Sequence, residues 1–260
     1  MSILVVILLV LCTYLFSRKR HFQRRVKRVL GEFPGPIEVI APAKFDPMFA
    51  DGDFGPTSAA EVHFIGNSEK TIASVSDREA WILAVLAKSS PNIFEFGTAT
   101  GRTTYLLARN QPDGGKVVTL TLAPTQLASY RTEGGDHAEA ANAALKESAF
   151  TRFLYSGTRV ESRITQLYGD SKQFDEVEHR GAYDLIFVDG SHAKSYVESD
   201  TRKALQMIRP GGVVVWHDYR FRDHKETAGV CMVLDELAQR LPLRRLWRTS
   251  FVVLRAPIVP

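Results

Sequence analysis

The sequence predicts an α/β fold of the Rossmann-like, doubly wound type: a mostly parallel, seven-stranded sheet with helices on both faces. Strands and helical stretches alternate from residue 76 to the C-terminus, which is the pattern of such sheets. The run 183–188 is mostly apolar, as expected of a strand that is buried on both faces. A glycine turn at 97–101 follows the strand 92–96, at the edge where open α/β sheets bind their ligands.

The elements can be assigned in order along the chain. Ser76 and Glu79 form a capping-box pattern, and the apolar residues after them recur at helical spacing. The predicted strands are 92–96, 116–122, 162–168, 183–189 and 212–217, with two further β-like runs at 244–248 and 250–255. The predicted helical stretches after the first are 102–109, 135–149, 194–208 and 227–240.

The N-terminus predicts a membrane helix, which we add to the fold. Residues 2–16 carry no charge and are mostly Leu, Val and Ile, although a full span takes about 20 residues. Positive charges follow this run, which favours a cytoplasmic folded body. We therefore expect residues 1–17 to be a transmembrane anchor and the protein to be a single-pass membrane protein. An apolar helix that docks on the protein itself is the alternative.

The charge distribution divides the rest of the chain. The net charge is +4, but seven basic residues precede Glu32, so the remainder has 33 − 7 = 26 basic against 29 acidic residues. Residues 18–29 are thus a basic juxtamembrane segment that anionic lipid would attract. No basic stripe runs through the folded part, so a nucleic-acid partner is not expected. Residues 30–75 are rich in Pro, Gly and Asp and predict a connector, and residues 76–260 the folded domain. Whether the connector packs along the domain or covers its site is left open.

The glycine turn predicts the kind of ligand. Gly97 and Gly101 would let the backbone approach it without a Cβ in the way. Glu95 would place a carboxylate in the same crevice, which repels a diphosphate and attracts a cationic nucleoside without phosphates. This favours S-adenosylmethionine over NAD or ATP. The spacing Gly-x-x-x-Gly also argues against an NAD-dependent oxidoreductase, which would show Gly-x-Gly-x-x-Gly.

Polar residues end several predicted strands. Asp189, with His192 just beyond it, ends one strand, and His217 and Asp218 end the next. Because these ends lie at one edge of a parallel sheet, we expect the side chains to converge. Two carboxylates and two imidazoles suit a hard divalent cation or an acid/base pair. The alternative is that the acids merely cap the following helices.

Two further strand ends bear on nucleoside binding. The turn at Asp170 and Ser171 could contact an adenine or its ribose. Thr121 stands at the end of the second strand, where an acid often binds the ribose hydroxyls. Its hydroxyl can make a hydrogen bond, but it cannot hold a vicinal diol with two oxygens.

The segments EFGTATG, GDS, IFVDGSH and RPGGVVVWHDY, in this order, resemble those of the class I S-adenosylmethionine-dependent methyltransferases. The nearer resemblance is to small-molecule O-methyltransferases, such as the catechol and caffeoyl-CoA enzymes and their bacterial relatives, and it covers about residues 76–256. It implies a set of cofactor-binding residues: Glu95, Gly97, Thr98, Gly101, Thr103, Thr121, Asp170, Ser171 and Asp189.

The resemblance also implies roles in catalysis. His192 would be the general base, with Asp189 beside it, and Asp189 and Asp218 match the magnesium-ligating acids of metal-dependent relatives. Tyr219 stands where those relatives have an Asn ligand. The expected function is methyl transfer from S-adenosylmethionine to an oxygen of a small-molecule acceptor by a membrane-anchored enzyme, with Mg²⁺ as a second cofactor. The alternative is a membrane-tethered, non-catalytic nucleoside-binding module with the same fold.

Overall fold

The structure is a computed structural model that describes residues 16, 18, 19 and 35–258. The chain divides into two compact units, Met1–Gly35 and Pro36–Pro260. The predicted anchor 1–17 and basic segment 18–29 lie outside the described residues, apart from Phe16, Arg18 and Lys19.

The predicted single-pass membrane localisation is wrong. Among the helices that the structure describes, none combines the length and the apolar character that a bilayer crossing requires. The run 2–16 lies outside the described part except for Phe16. It is also shorter than the about 20 residues that a span takes, so its apolar composition was too weak a basis for the prediction.

Strands and helices alternate in the second unit much as predicted. The strands are β1 (Val39–Ile40), β2 (Asp51–Gly52), β3 (Gly55–Pro56), β4 (Asn92–Phe96), β5 (Lys116–Thr121), β6 (Ile164–Tyr168), β7 (Tyr183–Val188), β8 (Ile208–Trp216), β9 (Arg244–Leu246) and β10 (Val252–Arg255). The α-helices are α1 (Pro42–Phe45), α2 (Asp77–Ala87), α3 (Arg102–Asn110), α4 (Ala138–Glu147), α5 (Lys194–Met207) and α6 (Ala228–Leu237). Short 3-10 helices span Pro47–Phe49, Ser58–Ala60, Pro124–Ser129, Glu161–Arg163 and Val177–His179.

The main sheet has eight strands rather than the predicted seven. Their order is β1-β9-β10-β8-β7-β4-β5-β6, and only the pairs that include β10 are antiparallel. The additional strand is β1, which adds to the edge through Val39 beside Arg245 and Ile40 beside Leu246. A two-residue strand has no periodicity to read, because only pairing with a distant segment creates it.

Helices cover both faces of this sheet, as predicted. One core cluster joins α2 and α3 to residues such as Ile93, Leu185 and Phe187. The other joins α5 and α6 to their neighbours on the opposite face, such as Phe94 and Ile186. Successive side chains of a strand point to opposite faces. The parallel order then brings the carboxyl ends of β4, β5, β6, β7 and β8 to a single edge.

The connector packs along the helices and also reaches that edge. The indole nitrogen of Trp81 in α2 donates to the carbonyl of Ala60 at 3.0 Å, and Arg102 in α3 donates to the carbonyl of Gly66 at 2.7 Å. Further along, Ala73 and Ser74 line a pocket at the sheet edge. The two possibilities that the sequence left open are therefore both realised.

Candidate active site

Two adjoining pockets open at the carboxyl ends of the strands. Pocket A has a volume of about 550 Å³, and its lining includes Thr121, Tyr130, Asp170, Ser171, Tyr196 and Asp200. Pocket B has a volume of about 740 Å³, and its lining includes Ser74, Thr103, His192, His217, Asp218 and Arg220. Gly97, Ala99, Glu147 and Asp189 line both. A ligand in one pocket would therefore meet a ligand in the other at these four residues.

The glycine turn forms the floor where the pockets meet. Gly97, Ala99 and Gly101 all have positive φ, at +95°, +42° and +72°. A Cβ built on Gly97 would lie 2.1 Å from the carbonyl oxygen of Asp189. That carbonyl belongs to the backbone and cannot swing aside, so the tips of β4 and β7 approach this closely only because residue 97 is glycine.

Pocket A gathers the predicted nucleoside-binding residues. Thr121, Asp170 and Ser171 all line it, so the second and third strand ends do converge. The hydroxyl of Tyr196 donates to Oδ2 of Asp170 at 3.2 Å, and the rings of Tyr130 and Tyr196 stack 4.5 Å apart. The sequence reasoning missed both tyrosines, because they lie in a loop and on a helix between the recognisable strand ends.

Asp200 is a second pocket A residue that the sequence did not single out. It lies on α5 and is 1% exposed, and its Oδ1 has no hydrogen-bond partner among the described residues. Burial raises the pKa of this carboxyl to about 7. A buried polar atom without a partner is costly, so Asp200 is suited to bind a polar group of a ligand in pocket A.

The structure places three other predicted residues away from pocket A. Thr98 and Thr103 line pocket B instead. Gly101 lines neither pocket, and a Cβ there would lie 2.7 Å from Cβ of Phe153. Its glycine character thus serves the packing of the turn on residues 153–155.

The predicted role of Glu95 needs correction. Glu95 lines neither pocket and is fully buried on the opposite face of the sheet, the face of Ile93. Its Oε2 accepts hydrogen bonds from the hydroxyls of Thr104 at 2.5 Å and Thr119 at 2.7 Å. Burial raises the pKa of this carboxyl to about 8, so it is mostly uncharged at neutral pH. Asp189 and Glu147, which line both pockets, are the acids at the crevice instead.

Glu95→Gln is expected to change the pH dependence of stability. The folded state keeps the Glu95 proton to about pH 8, while an unfolded Glu releases it near pH 4.3. Rising pH in this interval therefore favours unfolding, by up to about 1.4 kcal/mol per pH unit. Gln cannot ionise, so urea unfolding of the variant at several pH values should lack this decline.

A matched control for this prediction is Glu178→Gln, which changes an exposed Glu in the same way. It should leave the decline as it is in the wild type. A decline that persists unchanged in Glu95→Gln would show that another group causes it.

Pocket B contains a cluster of acids and imidazoles. Nδ1 of His217 lies 2.8 Å from Oδ1 of Asp189, and Nε2 of His192 lies 2.9 Å from Oδ2 of Asp218. Arg220 forms an ion pair with Oδ1 of Asp218 at 2.6 Å. The predicted convergence of the ends of β7 and β8 is thus present, but the side chains contact one another.

Charges around the two imidazoles set their protonation. Burial opposes charging of His217, but Asp189 and Asp218 outweigh burial and raise its pKa well above the ordinary value. Burial likewise opposes charging of His192, and Asp218 and Asp189 again raise the pKa. For Asp218, burial opposes ionisation, but His217 and His192 prevail and lower its pKa.

Two residues from outside β7 and β8 support this cluster. Glu79, at the start of α2, lies with its Oε2 3.6 Å from Nε2 of His217, which is an ion-pair distance rather than a hydrogen bond. Gly229, in α6, packs against the turn that carries His192, and a Cβ there would lie 2.3 Å from the His192 carbonyl oxygen. The sequence reasoning had read Glu79 only as a capping residue.

The donor set does not fit the predicted magnesium site. Asp189, His192 and Asp218 each offer a ligand atom within 4.8 Å of one another. However, the carboxylate oxygens already accept from His217, His192 and Arg220. Tyr219, at the position of the third ligand, is buried in a core cluster, and its hydroxyl donates to Asp235 at 2.6 Å. Mg²⁺ prefers oxygen ligands in octahedral geometry, which these residues do not offer.

Comparison with known proteins adds a family match. A family model described as a methyltransferase domain matches residues 94–219. This range contains the glycine turn and the ends of β4 to β8. No curated protein matches the chain.

Solved structures show the same fold. A protein from Klebsiella pneumoniae that is described as an O-methyltransferase is 21% identical, with a TM-score of 0.50, over 72% of this chain and 83% of its own. An O-methyltransferase from Bacillus cereus in complex with S-adenosylhomocysteine is 21% identical, with a TM-score of 0.47, over 70% and 82%. The O-methyltransferase TomG from Streptomyces achromogenes, in complex with S-adenosylmethionine, is 22% identical, with a TM-score of 0.45, over 70% and 82%.

Proposed function

The chain carries a methyltransferase domain of the class I type, and we propose that it transfers a methyl group from S-adenosylmethionine to an oxygen of a small-molecule acceptor. The predicted resemblance to S-adenosylmethionine-dependent methyltransferases is confirmed by the family match. The oxygen acceptor, the residue roles and the domain bounds 76–260 belong to the proposal.

The observation that carries the proposal is the meeting of the two pockets. Pocket A offers the stacked tyrosines, Asp170 and the unpartnered oxygen of Asp200 for a nucleoside. Pocket B offers a cluster with titratable imidazoles for an acceptor. They share Gly97 and Asp189, so a donor and an acceptor would be held side by side.

The bound cofactor supplies a methyl group on a positively charged sulfur, whose S–C bond breaks as the O–C bond forms. The residues of this chain would hold both partners in line, and such positioning can provide much of the rate. Asp189 and Glu147 border the place where the positive charge would lie. Their carboxyls favour a cationic donor there, which replaces the argument first made from Glu95.

His192 is the proposed general base. Donation from its Nε2 to Asp218 leaves the lone pair on Nδ1, which is buried and has no hydrogen-bond partner among the described residues. A hydroxyl in pocket B could fill that position and pass its proton to the ring. Asp218 would then orient the imidazole and stabilise its charged form.

Binding and transfer assays test the proposed function. Isothermal titration calorimetry of the full chain with S-adenosylmethionine and S-adenosylhomocysteine should show binding of both. Incubation with tritiated-methyl donor and fractionated extracts, with and without EDTA, should label an acceptor in both conditions. Binding without labelling of any fraction would favour the non-catalytic nucleoside-binding module, and absence of binding would refute the proposal.

Asp200→Asn is expected to weaken S-adenosylmethionine binding about tenfold. The amide keeps the shape of the side chain but replaces one acceptor oxygen by a donor, and a lost hydrogen bond to a buried group has about this effect. Calorimetry measures the change in Kd. Asp53→Asn, in an exposed turn, is the matched control and should bind like the wild type. Equal affinity of Asp200→Asn and wild type would remove Asp200 from the binding site.

A further inference from the structure

The carboxylates of Asp189 and Asp218 have partners that are themselves cationic. Arg220 lies 2.6 Å from one oxygen of Asp218, and Nδ1 of His217 lies 3.5 Å from the other. The same Nδ1 lies 2.8 Å from Asp189. His217 therefore bridges the two acids, as a metal ion shared by them would.

Glu79 holds the far side of that imidazole. Its Oε2 faces Nε2 of His217 at 3.6 Å, so acids flank both ring nitrogens. Glu79 is 5% exposed, and four hydrogen bonds fix it, from the backbone N–H and hydroxyl groups of Ser76 and Ser250. Such a carboxylate cannot turn away from His217 without losing these bonds.

The charges of the cluster nearly cancel without any added ion. Glu79, Asp189 and Asp218 contribute three negative charges, and His217 and Arg220 two positive ones, which leaves one negative charge. A protonated His192 beside Asp218 would bring the sum to zero. A divalent cation would add two positive charges next to two existing cations, at the cost of its own dehydration.

We propose that His217 and Arg220 take the place of a divalent metal between Asp189 and Asp218, and that Glu79 is the positioning residue that holds His217 there. Methyl transfer in this site then requires no metal ion, a consequence that rests on the proposed function. The charge cluster itself does not, and it can be tested without cofactor or acceptor.

The first test is magnesium binding by the full chain. Calorimetric titration with MgCl₂ should show no binding to the wild type. Arg220→Ala frees an oxygen of Asp218 and should bind Mg²⁺ more tightly than the wild type does. Arg222→Ala is the matched control, because Arg222 pairs with Asp235 outside the cluster. Magnesium binding to the wild type, or equal behaviour of the two arginine variants, would overturn the proposal.

The second test follows the His217 ring by NMR of protein with ¹⁵N-labelled histidine. Wild-type His217 should carry protons on both nitrogens at pH 8. Glu79→Gln should lower the midpoint of its titration by about one pH unit or more, since one of its flanking charges is gone. Ser250→Ala removes a hydroxyl that binds Glu79 but keeps the charge, so it should lower the melting temperature and leave the midpoint nearly unchanged.

The outcomes separate the proposals. A His217 midpoint that is the same in Glu79→Gln and wild type would show that Glu79 is merely structural. If Glu79→Gln does not fold, the arginine variants still decide the question of the metal. Failure of S-adenosylmethionine to bind would refute the proposed function but would leave the magnesium and NMR results interpretable.

Discussion

Replacing His192 with alanine is expected to slow methyl transfer by about 10²–10⁴-fold, the usual contribution of a general base. Binding of S-adenosylmethionine should change little, because His192 lines pocket B and not pocket A. The measurements are kcat with the labelled acceptor fraction and Kd by calorimetry.

The control for this prediction is His63→Ala. His63 is exposed, and its backbone, rather than its ring, pairs with Asn110. It should retain wild-type turnover. If His192→Ala folds normally and turns over at the wild-type rate, the base is another residue.

Replacing Gly97 with alanine is expected to abolish cofactor binding. The new Cβ would lie 2.1 Å from a backbone carbonyl oxygen of Asp189, at a φ of +95°. The tips of β4 and β7 would have to separate, and both pockets share this floor. We expect S-adenosylmethionine affinity to fall by at least about 100-fold, since misplacement of about 1 Å can cost this much in a site. Calorimetry and thermal unfolding measure the two effects.

Gly55→Ala separates the steric effect from backbone strain. Gly55 has nearly the same φ, +96°, but a Cβ there would meet nothing within 4 Å. This control should lose about 1–2 kcal/mol of stability from the positive φ and bind cofactor normally. Equal loss of binding in both variants would mean that general destabilisation, and not the clash, is responsible.

Most of the fold was predictable because its signals are local. The apolar run of β7 and the turn at 97–101 each lie within a few residues of sequence. The start of β8 was less clear: Pro210, Gly211 and Gly212 indicated a turn, but the strand begins at Ile208. Its pairing with β7 shifts register between Tyr183 and Leu185, which no local pattern records.

The site was only partly predictable. The position of Asp189 and Asp218 followed from strand ends, and the face of Glu95 could have been read from alternation, since Phe94 and Phe96 face the other core. Asp200 and Glu79 belong to helices whose contacts with the strand ends arise only in the folded chain. No spacing rule connects residues 79 and 217.

The supports of His192 and His217 come from both sides of the segment that identifies this domain. Gly229 lies beyond residue 219 and Glu79 before residue 94. A fragment trimmed to the recognisable stretch would retain the strand tips yet lose both braces. Grafting this chemistry onto another scaffold therefore means carrying the chain from Ser76 through α6, and conserved motifs alone are a poor guide to where such a chimera should be cut.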